Sequence, residues 1–186
     1  MPAAIRLQMI LGTMMITLLI AIATTQAAGI DCGKLPHWSS DNPQVNLHHI
    51  FCGEKNRSGR AVGYHANPGG NTPSTFVSVG TKGAPNAAGL ATWRQITLNL
   101  KGSNLVKPLS TMFPNSCTQN QVVKSIVYAS KNATGSCASP GWAKCGPSAP
   151  SSGDRNSYCL GKNGSVLTIA TAAPRNNKIN TGFPIQ

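Results

Sequence analysis

Two histidines on either side of a turn are the residues of this chain best suited to chemistry. His49 and His65 lie 16 residues apart, and the Ser-Gly-Arg run at residues 58–60 between them is a turn signal. A strand–turn–strand or helix–turn–strand segment of this length would bring both imidazoles to one cleft. Because imidazole titrates near neutral pH, such a pair can remove one proton and deliver another. The spacing therefore indicates general acid–base catalysis.

An RNA phosphodiester is a bond that two histidines can cleave without a metal. One imidazole removes the proton of the ribose 2′-OH and the other protonates the departing 5′-oxygen, which leaves a 2′,3′-cyclic phosphate. A nearby lysine would stabilise the charge that builds on the phosphorane oxygens. DNA lacks the 2′-OH and could not react in this way. The alternative chemistry for this segment is a histidine metal site with Glu54 or His48 as a third ligand.

The charge of the chain favours a polyanionic partner. Its 16 Lys and Arg residues exceed 4 Asp and Glu residues, for a formal net charge of +12. Nucleic acid, anionic lipid and acidic polysaccharide all fit such a charge. The four scattered acidic residues leave few candidates for a paired-carboxylate glycosidase site or a carboxylate-bound metal cage.

The first residues have the order of a secretory signal peptide. Arg6 precedes an apolar stretch at residues 9–23, and the small residues Ala27 and Ala28 follow. That stretch is shorter than the roughly 20 apolar residues that span a bilayer. We therefore expect residues 1–27 to be a signal peptide, cleaved near Ala27 or Ala28. The mature protein would be secreted or periplasmic, without stable membrane association.

The cysteines all follow this predicted leader, and their number is even. No C-x-x-C pair occurs, so a zinc ribbon is not indicated. In an oxidising compartment three disulfides are expected, and the sequence leaves the choice among about 15 pairings open. The six residues are Cys32, Cys52, Cys117, Cys137, Cys145 and Cys159.

One helix is well defined by local sequence. Residues 28–45 form an irregular lead-in, and residues 46–186 are expected to form one domain. Thr118 is a suitable N-cap, and apolar pairs four residues apart predict a helix from Thr118 to about Ser130. Strands are predicted at residues 75–79, 92–100, 166–172 and 178–183, the last two as a hairpin. Loops are predicted at residues 107–114 and 132–157.

Three blocks of sequence, in the same order, resemble the EndoU family of endoribonucleases, particularly its bacterial toxin-type branch. His48–Glu54 with Gly59–His65 is similar to the family's two-histidine block. Ser110–Pro114, followed by the helix, is similar to a Ser-Thr-aromatic-Phe-Pro segment. Lys178–Pro184 looks like the family's closing strand. The resemblance spans about residues 46–186.

The resemblance implies catalytic roles for particular residues. His49 and His65 would be the acid–base pair. Lys107 is the best candidate for the family's catalytic lysine, with Lys101 and Lys82 as fallbacks.

It also implies substrate-binding residues. Thr181 takes the hydroxyl position that helps to recognise the base, which is uridine in much of the family. Phe183 falls where many members have tyrosine, so it keeps a ring for stacking but lacks the hydroxyl. Ser110 and Thr111 are expected to bind substrate as well.

The implied fold is α+β, with two small antiparallel sheets flanking a cleft, one main helix and stabilising disulfides. His48 would point away from the cleft in an extended segment, and Glu54 would orient the turn. RNA is the implied partner, and an immunity or inhibitor protein a further one. Some members need manganese and others do not, so the need for Mn²⁺ stays open, and no residue is assigned to a metal.

Two other functions compete with the ribonuclease. The first is a non-catalytic basic protein on the same scaffold that binds RNA or an anionic surface. The second is a cationic, disulfide-rich protein that acts on membranes, which the predicted helix does not favour because it lacks a strong basic amphipathic face.

Overall fold

A computed structural model describes residues 29–186, so the predicted signal peptide at 1–27 lies outside the described residues. The strands in this part of the chain are β1 (Gln44–Val45), β2 (Glu54–Lys55), β3 (Ala61–Val62), β4 (Phe76–Lys82), β5 (Ala91–Leu100), β6 (Ser103–Met112), β7 (Gly135–Ser136), β8 (Lys144–Pro147), β9 (Thr168–Thr171), β10 (Lys178–Ile179) and β11 (Gly182–Pro184). Helical elements are a π-helical turn (His48–Cys52), the α-helix α1 (Gln119–Lys131) and two 3₁₀ turns (Pro68–Gly70 and Lys162–Gly164).

The strands form small sheets, most of them antiparallel. One has the order β4-β5-β6 and another the order β11-β9-β8-β7. Two smaller pairs are the β2–β3 hairpin and the parallel pair of β1 with β10. The predicted α+β fold with one main helix and small antiparallel sheets is thus confirmed.

The main helix begins where the sequence predicts. The Thr118 side chain accepts a hydrogen bond from the Gln121 backbone, and the Gln121 side chain accepts one from the Thr118 backbone, which together form a capping box. Val122 and Ile126 are fully buried on the face that packs on β8 and β9. The helix carries none of the predicted site residues; it supports the sheet that does.

Two apolar clusters meet at the segment that carries the histidines. Ile50 and Phe51 belong to the cluster under α1, together with Ile126. Tyr64 belongs to the cluster under the three-stranded sheet, together with Trp93. Because apolar anchors flank both histidines, the packing of the whole domain fixes their backbones.

The predicted disulfide content is confirmed, and the structure supplies the pairing. Cys32–Cys52 ties the lead-in to the π-helical turn, while the other two bridges are Cys117–Cys159 and Cys137–Cys145. Such bridges suggest an extracytoplasmic protein. Within residues 29–186, no helix is long and apolar enough to cross a membrane.

Three sequence predictions need correction. Residues 107–114 do not form a loop, because Ser103–Met112 is an edge strand in which Pro108 is tolerated. Residues 132–157 contain the β7–β8 hairpin as well as loop. The prediction of a hairpin at the end of the chain is only partly correct. β11 pairs with β9 in antiparallel orientation, whereas β10 pairs with β1 in parallel.

Candidate active site

A cavity of about 550 Å³ lies where β3 and β6 face β11 and the β7–β8 loop. Gly63, Pro140 and Trp142 contribute to its wall. It gathers all seven residues predicted from the sequence, namely His49, His65, Lys107, Ser110, Thr111, Thr181 and Phe183.

The neighbours of His65 determine which ring nitrogen carries the proton. Nδ1 lies 2.9 Å from Ser110 Oγ and 3.2 Å from the Thr111 carbonyl oxygen. The Ser110 hydroxyl donates to the Tyr64 carbonyl at 2.6 Å, and Ser110 Oγ accepts from Lys107 Nζ at 2.8 Å. Since the hydroxyl proton is already used and a carbonyl only accepts, Nδ1 must be the donor. Neutral His65 therefore carries its lone pair on Nε2.

Burial lowers the pKa of both His65 and Lys107 and so disfavours their charged forms. Burial, and then the charges of Lys107 and His49, lower the pKa of His65 well below its ordinary value. Burial lowers the pKa of Lys107 to about 7. Its ammonium group donates to the Gly63 carbonyl and to Ser110 Oγ. A neutral imidazole and a lysine that titrates near neutrality thus share one hydrogen-bond network.

His49 has a carboxylate where His65 has a hydroxyl. Its Nδ1 lies 3.0 Å from Glu54 Oε2, and the Asn46 amide donates to the same carboxylate oxygen at 3.1 Å. Burial alone would raise the pKa of Glu54, but the His49 and Asn46 hydrogen bonds outweigh it and hold the pKa below its ordinary value. The Glu54 carboxylate therefore orients the His49 ring through Nδ1. The sequence analysis gave Glu54 a role in the turn or, in the alternative metal site, as a third ligand, and did not predict its hydrogen bond to His49.

The two imidazoles are close enough to act on one phosphodiester. Their ring centroids are 6.0 Å apart, and both residues are mostly buried. The π-helical turn presents His49, while His65 follows β3, and its backbone N–H donates to the Ile50 carbonyl at 2.7 Å. That bond joins the two histidine segments directly. The arrangement can accept a proton on one side of a bound group and donate one on the other.

Gly63 lets these segments approach each other. Its φ is +75°, and a Cβ built there would lie 2.2 Å from the His49 carbonyl oxygen. Only glycine allows such an approach. The sequence predicted a turn at residues 58–60, but the contact between the two histidine segments is a tertiary feature.

Aromatic rings line the cavity beyond His65. The Phe183 ring stacks on the His65 ring with centroids 5.0 Å apart and an interplanar angle of 19°. Trp142 is the next ring, 6.3 Å from Phe183. Thr181 is buried beside them and its side chain lines the same wall. Phe183 therefore holds the imidazole as well as facing the cavity.

The other basic candidates lie elsewhere. Lys82 sits over the Trp93 ring at 4.5 Å, and Lys101 lines a separate cavity behind Glu54. His48 points away from the site as expected, with Nε2 2.7 Å from the Leu35 carbonyl oxygen, although it lies in a helical turn and not in an extended segment.

The donor set does not match a manganese site. Within residues 29–186, no group of three or more His, Cys, Asp or Glu side chains is placed to hold a metal ion. Glu54, the acidic residue nearest the cavity, already accepts hydrogen bonds from His49 and Asn46.

A comparison with protein families matches this geometry to a known class. The bacterial EndoU nuclease family matches residues 43–186. The chain belongs to the EndoU nuclease family. Membership supports an endoribonuclease with RNA as its substrate, and confirms the resemblance carried by the three sequence blocks. Neither the curated proteins nor the solved structures gave a significant match.

Two residues at the EndoU site were missed by sequence reasoning. Asn46 precedes the π-helical turn and joins it to Glu54, since its side-chain oxygen accepts from the His49 backbone at 2.9 Å while its amide donates to Glu54. An asparagine three residues before His49 was an available N-cap signal. Trp142 was overlooked because its loop is rich in small residues, and a tryptophan enclosed by Cys137 and Cys145 was the available signal.

Proposed function

We propose that this EndoU nuclease is exported and cleaves single-stranded RNA by transesterification to 2′,3′-cyclic phosphate ends. The observation that carries the proposal is one cavity with two histidines in opposite surroundings. His65, buried beside Lys107, is suited to be neutral and to act as base. His49, bonded to Glu54, is suited to be the imidazolium and to act as acid.

The reaction assigns one task to each group. His65 Nε2 removes the proton of the 2′-OH, and the resulting oxygen attacks phosphorus while His49 Nε2–H protonates the leaving 5′-oxygen. Lys107 has two of its N–H groups on Gly63 and Ser110, which leaves the third for a non-bridging phosphate oxygen. The Thr181 side chain, in the same cavity wall, would bond an edge of the base. Export is supported by the three disulfides.

The deciding experiment uses the oxidised mature protein with a short RNA and its 2′-deoxy analogue. We expect cleavage of the RNA alone, cyclic phosphate ends, and a loss of about 10²-fold or more in His49→Ala and His65→Ala. Equal cleavage of the deoxy analogue would contradict the transesterification, and full activity of both variants would contradict the residue assignment.

A non-catalytic basic binder is the second candidate. The observation that favours it is the exposed Trp142 beside the cavity, because an aromatic platform suits RNA binding without cleavage. Salt-sensitive binding of RNA with no product in the same assay would support this function instead.

A further inference from the structure

The most exposed large hydrophobic side chain of residues 29–186 is Trp142, at 59 % exposure. It lines the active-site cavity. The proposed reaction gives it no role, yet an exposed indole beside a cavity offers a bound partner both an apolar ring face and an N–H donor.

The backbone beneath this indole is held in place. Cys137–Cys145 closes the loop, and the Cys137 N–H donates to the Ala143 carbonyl at 2.9 Å. Ala143, the next residue after Trp142, is completely buried and packs with Ala170 of the four-stranded sheet. The indole is therefore presented to solvent from a fixed position.

Phe183 is less available for stacking than its sequence position suggested. One face of its ring is covered by His65 at 5.0 Å. The Trp142 ring is the next neighbour of the Phe183 ring, with centroids 6.3 Å apart and an interplanar angle of 58°. The rings therefore follow the order His49, His65, Phe183 and Trp142, with the indole at the open end.

This order tells which side of the substrate the indole meets. His65 is the base in the proposed reaction, so the ribose with the attacking 2′-OH lies at His65, and the leaving nucleotide lies at His49. Phe183 and Trp142 extend from the His65 end. A base attached to the attacking ribose would reach the indole before any base beyond His49.

We propose that Trp142 stacks on the base of the nucleotide whose 2′-OH attacks, that is, the nucleotide on the 5′ side of the scissile phosphate. The proposal rests on the proposed ribonuclease function. It adds a binding residue for the base, supplied by the disulfide-closed loop, and it makes Phe183 a positioning residue for His65 in addition to its place in the cavity wall.

The test compares wild type and Trp142→Ala on oligonucleotides with a single ribonucleotide in a deoxy strand. We expect Trp142→Ala to lower kcat/KM roughly 5- to 150-fold, as one lost stacking contact does. The penalty should vanish when the ribonucleotide is abasic and persist when the next 3′ nucleotide is abasic. Trp142→Phe should recover part of the activity, and Val166→Ala, another exposed apolar side chain outside the cavity, should cost nothing.

A penalty that ignores both abasic sites, or that vanishes only with the 3′ abasic site, overturns the proposal. A binding measurement keeps this test separate from catalysis, because the fully deoxy strand should quench indole fluorescence in wild type and not in Trp142→Phe. If wild type cleaves no RNA, the proposed function fails, and this quench still decides whether Trp142 stacks. Unchanged melting of the variants excludes unfolding as the cause.

Discussion

His49 and His65 place the same ring in one cavity, but the two rings have different neighbours. Glu54 accepts from His49 Nδ1, whereas a carbonyl and a hydroxyl surround His65 Nδ1. In the proposed reaction, these contacts at Nδ1 leave Nε2 of each ring for the proton transfers. Under that proposal, the different roles of two identical side chains would come from neighbouring residues that do not react.

The pH profile should report His65 and Lys107. His65 must be neutral, and because its pKa is depressed, kcat/KM should rise with pH at values below the ordinary histidine range. Lys107 must be charged, so its contribution is present below pH 7 and is lost as pH rises through about 7. We therefore expect a bell whose falling limb contains this lysine. Measurement of kcat/KM from acid to alkaline pH on a short RNA tests it.

The Lys107→Arg variant distinguishes the contribution of Lys107 to the pH profile from those of the other groups that titrate. Arginine stays protonated throughout the range. If the variant remains active, its falling limb should move to higher pH. An identical alkaline limb in both proteins would show that Lys107 does not control it.

Glu54→Gln should impair proton donation by His49 and leave proton removal by His65 unchanged. The amide cannot stabilise the imidazolium of His49 as a carboxylate does, so kcat should fall about 10-fold or more while KM changes little. A substrate with a better leaving group than the 5′-oxygen needs less acid, and it should recover most of the loss. A uniform rise in KM for both substrates would point to a disturbed cleft instead.

Among the elements, the contact between the π-helical turn and the end of β3 matters most for the site. Gly63→Ala should remove activity and destabilise the fold by several kcal/mol, because its Cβ would lie 2.2 Å from the His49 carbonyl oxygen. Gly102→Ala is the matched control, since its φ is +77° and no atom lies within 4 Å of the added Cβ. It should cost only about 1 kcal/mol, from backbone strain.

Chemical denaturation and RNA cleavage of both glycine variants provide the measurement. Equal costs would mean that the left-handed conformation, and not the approach of the two segments, explains the need for Gly63.

Elements defined by local sequence were predictable, and those defined by distant partners were not. The helix was found because its cap and apolar stripe lie within a single stretch. The sequence predicts a loop at residues 107–114 because Pro108 and Pro114 disfavour a strand, but residues up to Met112 pair with β5, which the local sequence does not show. Likewise, β10 pairs with β1, more than 130 residues earlier in the chain. The predicted site residues nevertheless line one cavity, and the three blocks that resemble the family carry all of them except Lys107, which lies just ahead of the second block.

At the scale of the whole molecule, the surplus of positive charge should act through particular surfaces. Lys55, Arg57 and Arg60 lie exposed on the β2–β3 hairpin, and none of the three forms an ion pair with a carboxylate within residues 29–186. The hairpin runs directly into Ala61 and Val62 of the cavity wall. This basic hairpin, residues 55–60, is therefore well placed to meet the RNA backbone.

Replacing the three cations of the basic hairpin with alanine should weaken RNA binding and its salt dependence together. Each lost phosphate contact lowers the slope of log K against log salt by about 0.7, so the slope should fall by up to about 2. Kd values measured from low to moderate salt test this. Alanine at Lys124, Lys131 and Lys162, none of which lines the cavity, is the matched control. A similar fall in that control would mean that overall charge, and not the basic hairpin, guides the RNA.

The Cys32–Cys52 bridge has a consequence for the cell that makes this enzyme. It closes a separation of 20 residues, and a bridge of that span stabilises a fold by about 3 kcal/mol. In a reducing cytosol the chain lacks this bond, so the turn that presents His49 loses its link to the lead-in. For an enzyme exported as proposed, the unexported chain would be less folded, easier to translocate and less harmful to the RNA of its producer. Growth of cells that retain the leaderless chain in reducing and in oxidising cytoplasm would measure this safeguard.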